Sequence, residues 1–122
     1  MSTPVPISAS RFQAFDLLAT LIAVVRSDGT VLFANAALED TLGASRRTIE
    51  GSAFPGFFTE PQVLANALGG AESNAFAALR YDAWLHRAGH DPIPVHVIVA
   101  QTEQHGEIII ELLPQEQQAR QD

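Results

Sequence analysis

Two apolar runs meet across Ser27-Asp28-Gly29, and an asparagine follows the second run directly. This arrangement leaves the chain few choices. Residues 22–26 (IAVVR) and 30–34 (TVLFA) are short and rich in Val, Leu and Phe, side chains that suit a pleated, half-buried surface. Asp-Gly between such runs signals a hairpin, because glycine takes positive φ without steric cost. Asn35 then stands where a helix N-cap belongs, and its side-chain oxygen can accept from a free amide of the first turn. Gly43 stands where a left-handed residue would close that helix. Strand, tight turn, strand and capped helix are therefore predicted in immediate succession.

Upstream, residues 1–9 hold two prolines and read as a loose arm. Ser10 to Gln13 has capping-box spacing, and a helix from about 11 to 18 follows it. Phe12, Phe15 and Leu18 recur on one face, and Ala14, Leu17 and Leu21 widen the apolar surface. Downstream, residues 44–58 read as short helical turns, with Ser45 able to cap one and Gly51, Pro55 and Gly56 as punctuation. Thr59 to Gln62 forms a second capping box, and the helix 60–68 is expected to stop at Gly69-Gly70.

The remainder alternates with period two. Strands are expected at 76–87, 93–101 and 107–113, with turns at 88–91 and 103–106. Ala77, Leu79, Tyr81, Ala83 and Leu85 share one face of the first, and Ile93, Val95, Val97 and Val99 one face of the second. Turns this short join neighbours antiparallel. The expected fold is α+β: one five-stranded antiparallel sheet with helices on one face, plus an N-terminal helix.

Composition narrows the function. A chain of 122 residues is one domain and can bury a core without staples; it has no cysteine. Disulfides, thiolate catalysis and Cys-ligated metals are excluded. The net charge is −7, and Arg46-Arg47 is the largest basic cluster, a poor match to phosphate backbones. No stretch approaches the roughly 20 apolar residues of a membrane span, and MSTPVPISAS lacks the features of a signal peptide. A soluble, cytoplasmic protein binding neither nucleic acid nor membrane is expected. There is no Gly-rich phosphate loop, G-x-S-x-G or HExxH, and Asp16, Glu39, Asp40 and Glu50 make no recognisable catalytic pair.

Over residues 12–113 the order of elements resembles a PAS domain. Three stretches are similar to the N-terminal sensor domain of NtrB-type nitrogen-regulation histidine kinases. They are DLLATLIAVVRSDGTVLFANAALEDTLGAS, the closing AQTEQHGEIIIELLP, and the polar PQEQQARQD that follows. The resemblance implies a PAS domain over 10–113 and the start of a connector over 114–122. It implies a cytoplasmic homodimer whose phosphoacceptor histidine and ATP-binding domain lie in a kinase region beyond the connector. Its partners would be a PII signalling protein, acting on the kinase portion, and a response regulator that receives phosphate. This chain by itself would do no chemistry. A haem PAS domain would carry its axial His on the helix EPQVLANAL, and a photosensing flavin domain a reactive Cys; neither residue is present, so no cofactor is expected.

The candidate residues follow. Asn35 and Gly43 are structural caps. Phe12, Phe15 and Leu18 are the expected dimer contact, through an N-terminal helix wider in apolar surface than its own sheet needs. Phe33, Phe57 and Phe58, with Phe54 and Trp84, are the candidate lining of a pocket, though aromatics around a small sheet are first of all core. His86, His90 and His96 with Asp91 fall on one hairpin, but their spacing fits no metal motif and they read as solvated; His105 stands apart. The expected mechanism is relay: repacking of two sheets and their N-terminal helices would bias a kinase between autokinase and phosphatase states. The alternatives are a small-molecule sensor, with ligand between the sheet and residues 35–58, and a small cone-shaped enzyme, which the apolar inward positions disfavour.

Overall fold

A computed structural model describes residues 12–73, 78–102 and 106–115. The arm at 1–9, the Ser10 cap, Phe76 and Ala77, His105 and the connector beyond Gln115 lie outside the described residues. The described chain opens with a 3-10 turn, Gln13–Leu17, followed by strands β1 (Leu21–Arg26) and β2 (Val31–Ala34). Helices α1 (Ala36–Leu42) and α2 (Arg46–Ile49), a 3-10 turn (Phe54–Phe57) and helix α3 (Pro61–Ser73) come next. Strands β3 (Leu79–Arg87), β4 (His90–Gln101) and β5 (Glu107–Pro114) complete it. The five strands form one sheet in the order β2-β1-β5-β4-β3, and every neighbouring pair is antiparallel.

The first hairpin closes as its turn chemistry dictates. Gly29 sits at φ 95°, the Gly29 amide donates to the Arg26 carbonyl, and the Arg26 amide to that of Thr30. Asp28 Oδ1 accepts from the Thr30 amide at 2.9 Å, which holds the Asp28 carboxyl below its ordinary range. Beyond the turn the register slips. Val24 faces Phe33 but Val25 faces Val31, so Leu32 is an extra residue on β2.

The sheet has two unlike faces. Ala23, Val25, Val31, Leu85, Val95, Val97, Ile108 and Ile110 point inward, against Leu38, Ile49, Phe54, Leu64 and Leu68 from the helical side. This is the main core, and all of these side chains are buried. A smaller cluster sits on the outer face, where Phe12, Val24 and Phe33 are buried with Phe15, Leu32 and Ile109 against them.

Three expectations are corrected. The segment after Phe12 is a 3-10 turn ending at Leu17, not an α-helix to Leu18. Helix α3 runs through Gly69-Gly70 to Ser73, since the buried Leu64 and Leu68 anchor it and two helical glycines cost only about 1 kcal/mol each. The β3–β4 turn is only Ala88-Gly89, with Gly89 at φ 74° and Arg87 already paired to His90. An extra residue on β4 between His90 and Ile93, where Pro92 falls, absorbs the missing amide.

Candidate functional site

Asn35 is the polar side chain most deeply placed in the described structure, fully buried between β2 and α1. Its Oδ1 accepts from the amides of Leu38 and Ile22, each at 3.0 Å. The first bond caps α1; the second holds the start of β1. Its Nδ2 donates to the carbonyls of Phe15 and Thr20, both at 2.9 Å. One side chain therefore joins the N-terminal turn, the first strand and the first helix, with each of its four bonds to backbone. Gly43 closes the same helix at φ 70°, its amide donating to the Glu39 carbonyl.

A second link runs beside the first. Asp16, on the N-terminal turn, accepts from the Ala36 amide at 2.9 Å. The same carboxylate takes both ends of the Arg46 guanidinium, at 2.8 and 3.2 Å. Arg46 also lies over the Phe33 ring, 5.3 Å from its centroid, a cation–π contact. The Arg46 amide donates to Glu39 Oε2 at 2.7 Å. So the N-terminal turn is tied to α1 and α2 by charge as well as by Asn35. Sequence reasoning did not find this pair, because Asp16 and Arg46 are thirty positions apart and neither belongs to a motif.

The expected dimer residues lie elsewhere than supposed. Phe12 is buried on its own sheet, its ring 5.6 Å from that of Phe33. Phe15 is half-buried, 6.0 Å from Phe12 and 6.3 Å from Phe33. Both cover the outer face over β1 and β2, which removes them from an open surface. Of the three, only Leu18 is exposed, at 46%, beside Leu17 at 87%. The outer face over β5, β4 and β3 carries Ile98, Ala100, Leu113 and the exposed Trp84 among polar residues.

The expected aromatic pocket is divided by the sheet. Under the helical layer the Phe54 ring stands 5.9 Å from that of Phe57 and 5.3 Å from that of Phe58. Phe33 lies on the opposite face, because the bulge at Leu32 turns it outward. Trp84 is outside too. What the inner face does hold is two polar atoms missed in the sequence: Tyr81 Oη and Gln101 Oε1, both buried and without a hydrogen-bond partner among the described residues. Burial pushes the Tyr81 phenol up to about 12.

The hairpin histidines do not converge. His96 Nδ1 lies 3.0 Å from Asp82 Oδ1, and Gln115 Nε2 donates to the same oxygen at 3.3 Å. The His96 contact, chiefly, holds the Asp82 carboxyl below its ordinary range. His86 and His90 lie beyond it along the hairpin, and the described residues hold no group of three potential metal ligands. No helix among them is long and apolar enough to cross a membrane.

No protein-family model matches this sequence, and no curated protein matches it. Solved structures do. The PAS domain of an HTR-like protein from Haloarcula marismortui superposes with a TM-score of 0.75 at 18% identity, over 88% of this chain and 91% of that one. A domain of a sensory box sensor histidine kinase/response regulator from Geobacter sulfurreducens gives 0.73 at 16% identity, over 87% and 93%. The RpfR quorum-sensing receptor PAS domain from Cronobacter turicensis, in complex with BDSF, gives 0.68 at 13%, over 80% and 94%. The architecture is an antiparallel sheet with its helices inserted between the second and third strands. This chain has the PAS fold.

Proposed function

We propose that this chain is a signal-relay PAS domain, the dimeric input module of a cytoplasmic two-component sensor histidine kinase of the nitrogen-regulation, NtrB-like kind. The Asn35 junction is the observation that carries the reading. A single buried side chain couples the N-terminal turn, the sheet and α1, so a displacement at any one of them is felt by the others. That is a transmission joint; catalysis would need converging reactive groups, and none of the described clusters offers them. The sensor-kinase origin of one structural neighbour and the opening and closing stretches of the sequence support the context. In this reading the domain does no chemistry. It biases the kinase region that follows between autokinase and phosphatase states, the PII protein acts on that kinase region, and a response regulator takes the phosphate.

The test uses the full-length kinase carrying this domain. Arg46→Ala cuts the link to Asp16 and leaves the core intact. It should shift the ratio of autokinase to phosphatase activity several-fold, with PII protein still able to act. An unchanged ratio, or a chain that continues into no phosphoacceptor and ATP-binding region, removes the proposal.

A second reading is favoured by the orphaned Tyr81 hydroxyl and Gln101 carbonyl oxygen on the inner face. A donor and an acceptor buried without partners suit a small polar-headed ligand between sheet and helices. The RpfR domain above is described with BDSF, and a second structure of it with C12:0. Native mass spectrometry of the purified chain decides: a retained small molecule lost in Tyr81→Phe supports a ligand sensor, and a bare mass supports the relay alone.

A further inference from the structure

The outer face over β3, β4 and β5 is self-complementary in charge. The strand register lays it out in rows. Arg80 on β3 faces Ile98 on β4, and Ile98 faces Glu111 on β5. All three point away from the main core, since their neighbours Tyr81, Val97, Val99 and Ile110 point into it. Strands lie about 4.8 Å apart, so Arg80 and Glu111 stand about 10 Å from each other with an isoleucine between. Neither has an ion-pair partner in its own chain among the described residues. An unpaired cation and an unpaired anion thus flank a central apolar residue.

We infer that a second copy of this chain covers this face, about a two-fold axis that runs along β4 over Ile98 and Ala100. The inference rests on the dimeric reading above and adds the geometry to it. Rotation about that axis turns the copy face-down and exchanges the places of β3 and β5. Arg80 of each copy then stands over Glu111 of the other, so one rotation makes two ion pairs. Packed sheets lie about 10 Å apart, a gap that an Arg and a Glu reaching from opposite sides can close. On the axis Ile98 meets Ile98 and Ala100 meets Ala100; one row along, His96 meets His96, each held by Asp82 of its own chain.

Two rows along, the fit continues. Trp84 faces Pro94, and Gln115 bonds to the Pro94 carbonyl, so the rotation carries Trp84 over the Leu113–Gln115 end of the copy's β5. That gives a partner to the largest exposed apolar side chain, which is 52% exposed. The Phe12 and Phe15 layer stands on β1 and β2 and walls the open face on one side. The copy's edge strand β3 meets that wall, which fixes the lateral position. An axis across the strands is less favourable. Centred on this row, it sets Arg80 on Arg80; displaced by half a row, it sets Arg80 on Asp82, already held by His96 and Gln115.

The test is a charge swap on the 122-residue chain. Arg80→Glu alone and Glu111→Arg alone each turn two attractive contacts into repulsive ones, and each should weaken self-association by at least about tenfold. Mixed together, the two variants restore both pairs. The introduced glutamate of one chain then stands over the introduced arginine of the other, and the remaining Arg80 over the remaining Glu111. Their heterodimer should form with near wild-type affinity, read by sedimentation equilibrium and by energy transfer between N-terminal dyes. Circular dichroism checks that both variants keep the fold. If the wild type dimerises and neither variant weakens it, or mixing restores nothing, the axis is wrong while the dimeric reading stands. If the wild type stays monomeric at high micromolar concentration, the dimeric reading fails with it.

Discussion

Removal of the Asn35 side chain would strand four backbone groups in places water does not reach easily. The Ile22 and Leu38 amides lose their acceptor, and the Phe15 and Thr20 carbonyls their donor. Lost caps and unsatisfied buried groups cost about 1–3 kcal/mol each before relaxation, so Asn35→Ala should lose about 2–4 kcal/mol in urea unfolding. Asn35→Asp should be no milder, because it keeps both acceptor contacts but sets carboxylate oxygen against two carbonyls. A loss under about 1 kcal/mol would mean that the junction is not as tight as its geometry. Tyr81, the single tyrosine, makes a second prediction. Its raised pKa means the folded state favours the neutral phenol. That contribution to stability is whole below pH 10 and is lost as pH rises through about 12. The alkaline absorbance titration of the folded chain should show a midpoint above the ordinary 10, and Tyr81→Phe should flatten the loss of melting temperature over that window. A midpoint at the ordinary value would put the hydroxyl in water. At this scale the sequence displayed half of what matters. The cap role of Asn35 is local, and its spacing from Leu38 makes it readable. Its bonds to Phe15, Thr20 and Ile22, like the Asp16–Arg46 pair, depend on which distant segments the sheet brings together.

Among the elements, the strands were the most legible, because period-two burial is written directly into 79–87 and 93–101. Phe33 shows where such reading stops. Strict alternation from the inward Val31 would turn Phe33 inward with Phe57 and Phe58; the extra residue Leu32 sends it to the other face. A bulge of one residue leaves no mark in composition. Helix α3 shows the converse, a stop signal overruled by packing. Its glycines are tolerated, not required: a Cβ at Gly69 would meet nothing within 4 Å, and at Gly70 only Leu79 Cδ1 at an ordinary 3.5 Å. Gly69→Ala should therefore stabilise the chain by up to about 1 kcal/mol, raising its melting temperature by a few degrees. Gly43→Ala should do the opposite, since φ 70° strains any side chain and its Cβ would press to 3.3 Å on that of Ala88. If Gly69→Ala lowers the melting temperature, the helix does not run through that position.

Over the whole molecule, the α+β architecture and its antiparallel sheet were legible because strands next to each other in sequence are separated by a few residues or by one block of helices; the pairing of β1 with β5 comes from no such connection. Which surface stays open was not. The N-terminal aromatics looked like the contact for a partner and instead cover this chain's own sheet. Their burial moves the open surface two strands along, to the face that holds Trp84. As the single tryptophan, Trp84 reports on that face directly. Dilute chain should emit like an exposed indole. Rising concentration should shift emission to the blue with the same midpoint as sedimentation, as the residue is covered. Emission that ignores concentration while the chain dimerises would place the contact elsewhere.

The pairing of β1 with β5 has a mechanical consequence. Leu21, where β1 begins, lies opposite Leu112, near the end of β5. Tension applied through the chain on either side would therefore load one end of this antiparallel pair. Its hydrogen bonds run perpendicular to the strands, so the pull lies along them and opens the pair bond by bond, like a zipper. A shear-loaded sheet must break its whole ladder together. This one yields from its end at low force, once the pull has broken the bonds that stand in front of it, those of Asn35 to the Phe15 and Thr20 carbonyls and of Asp16 to Arg46.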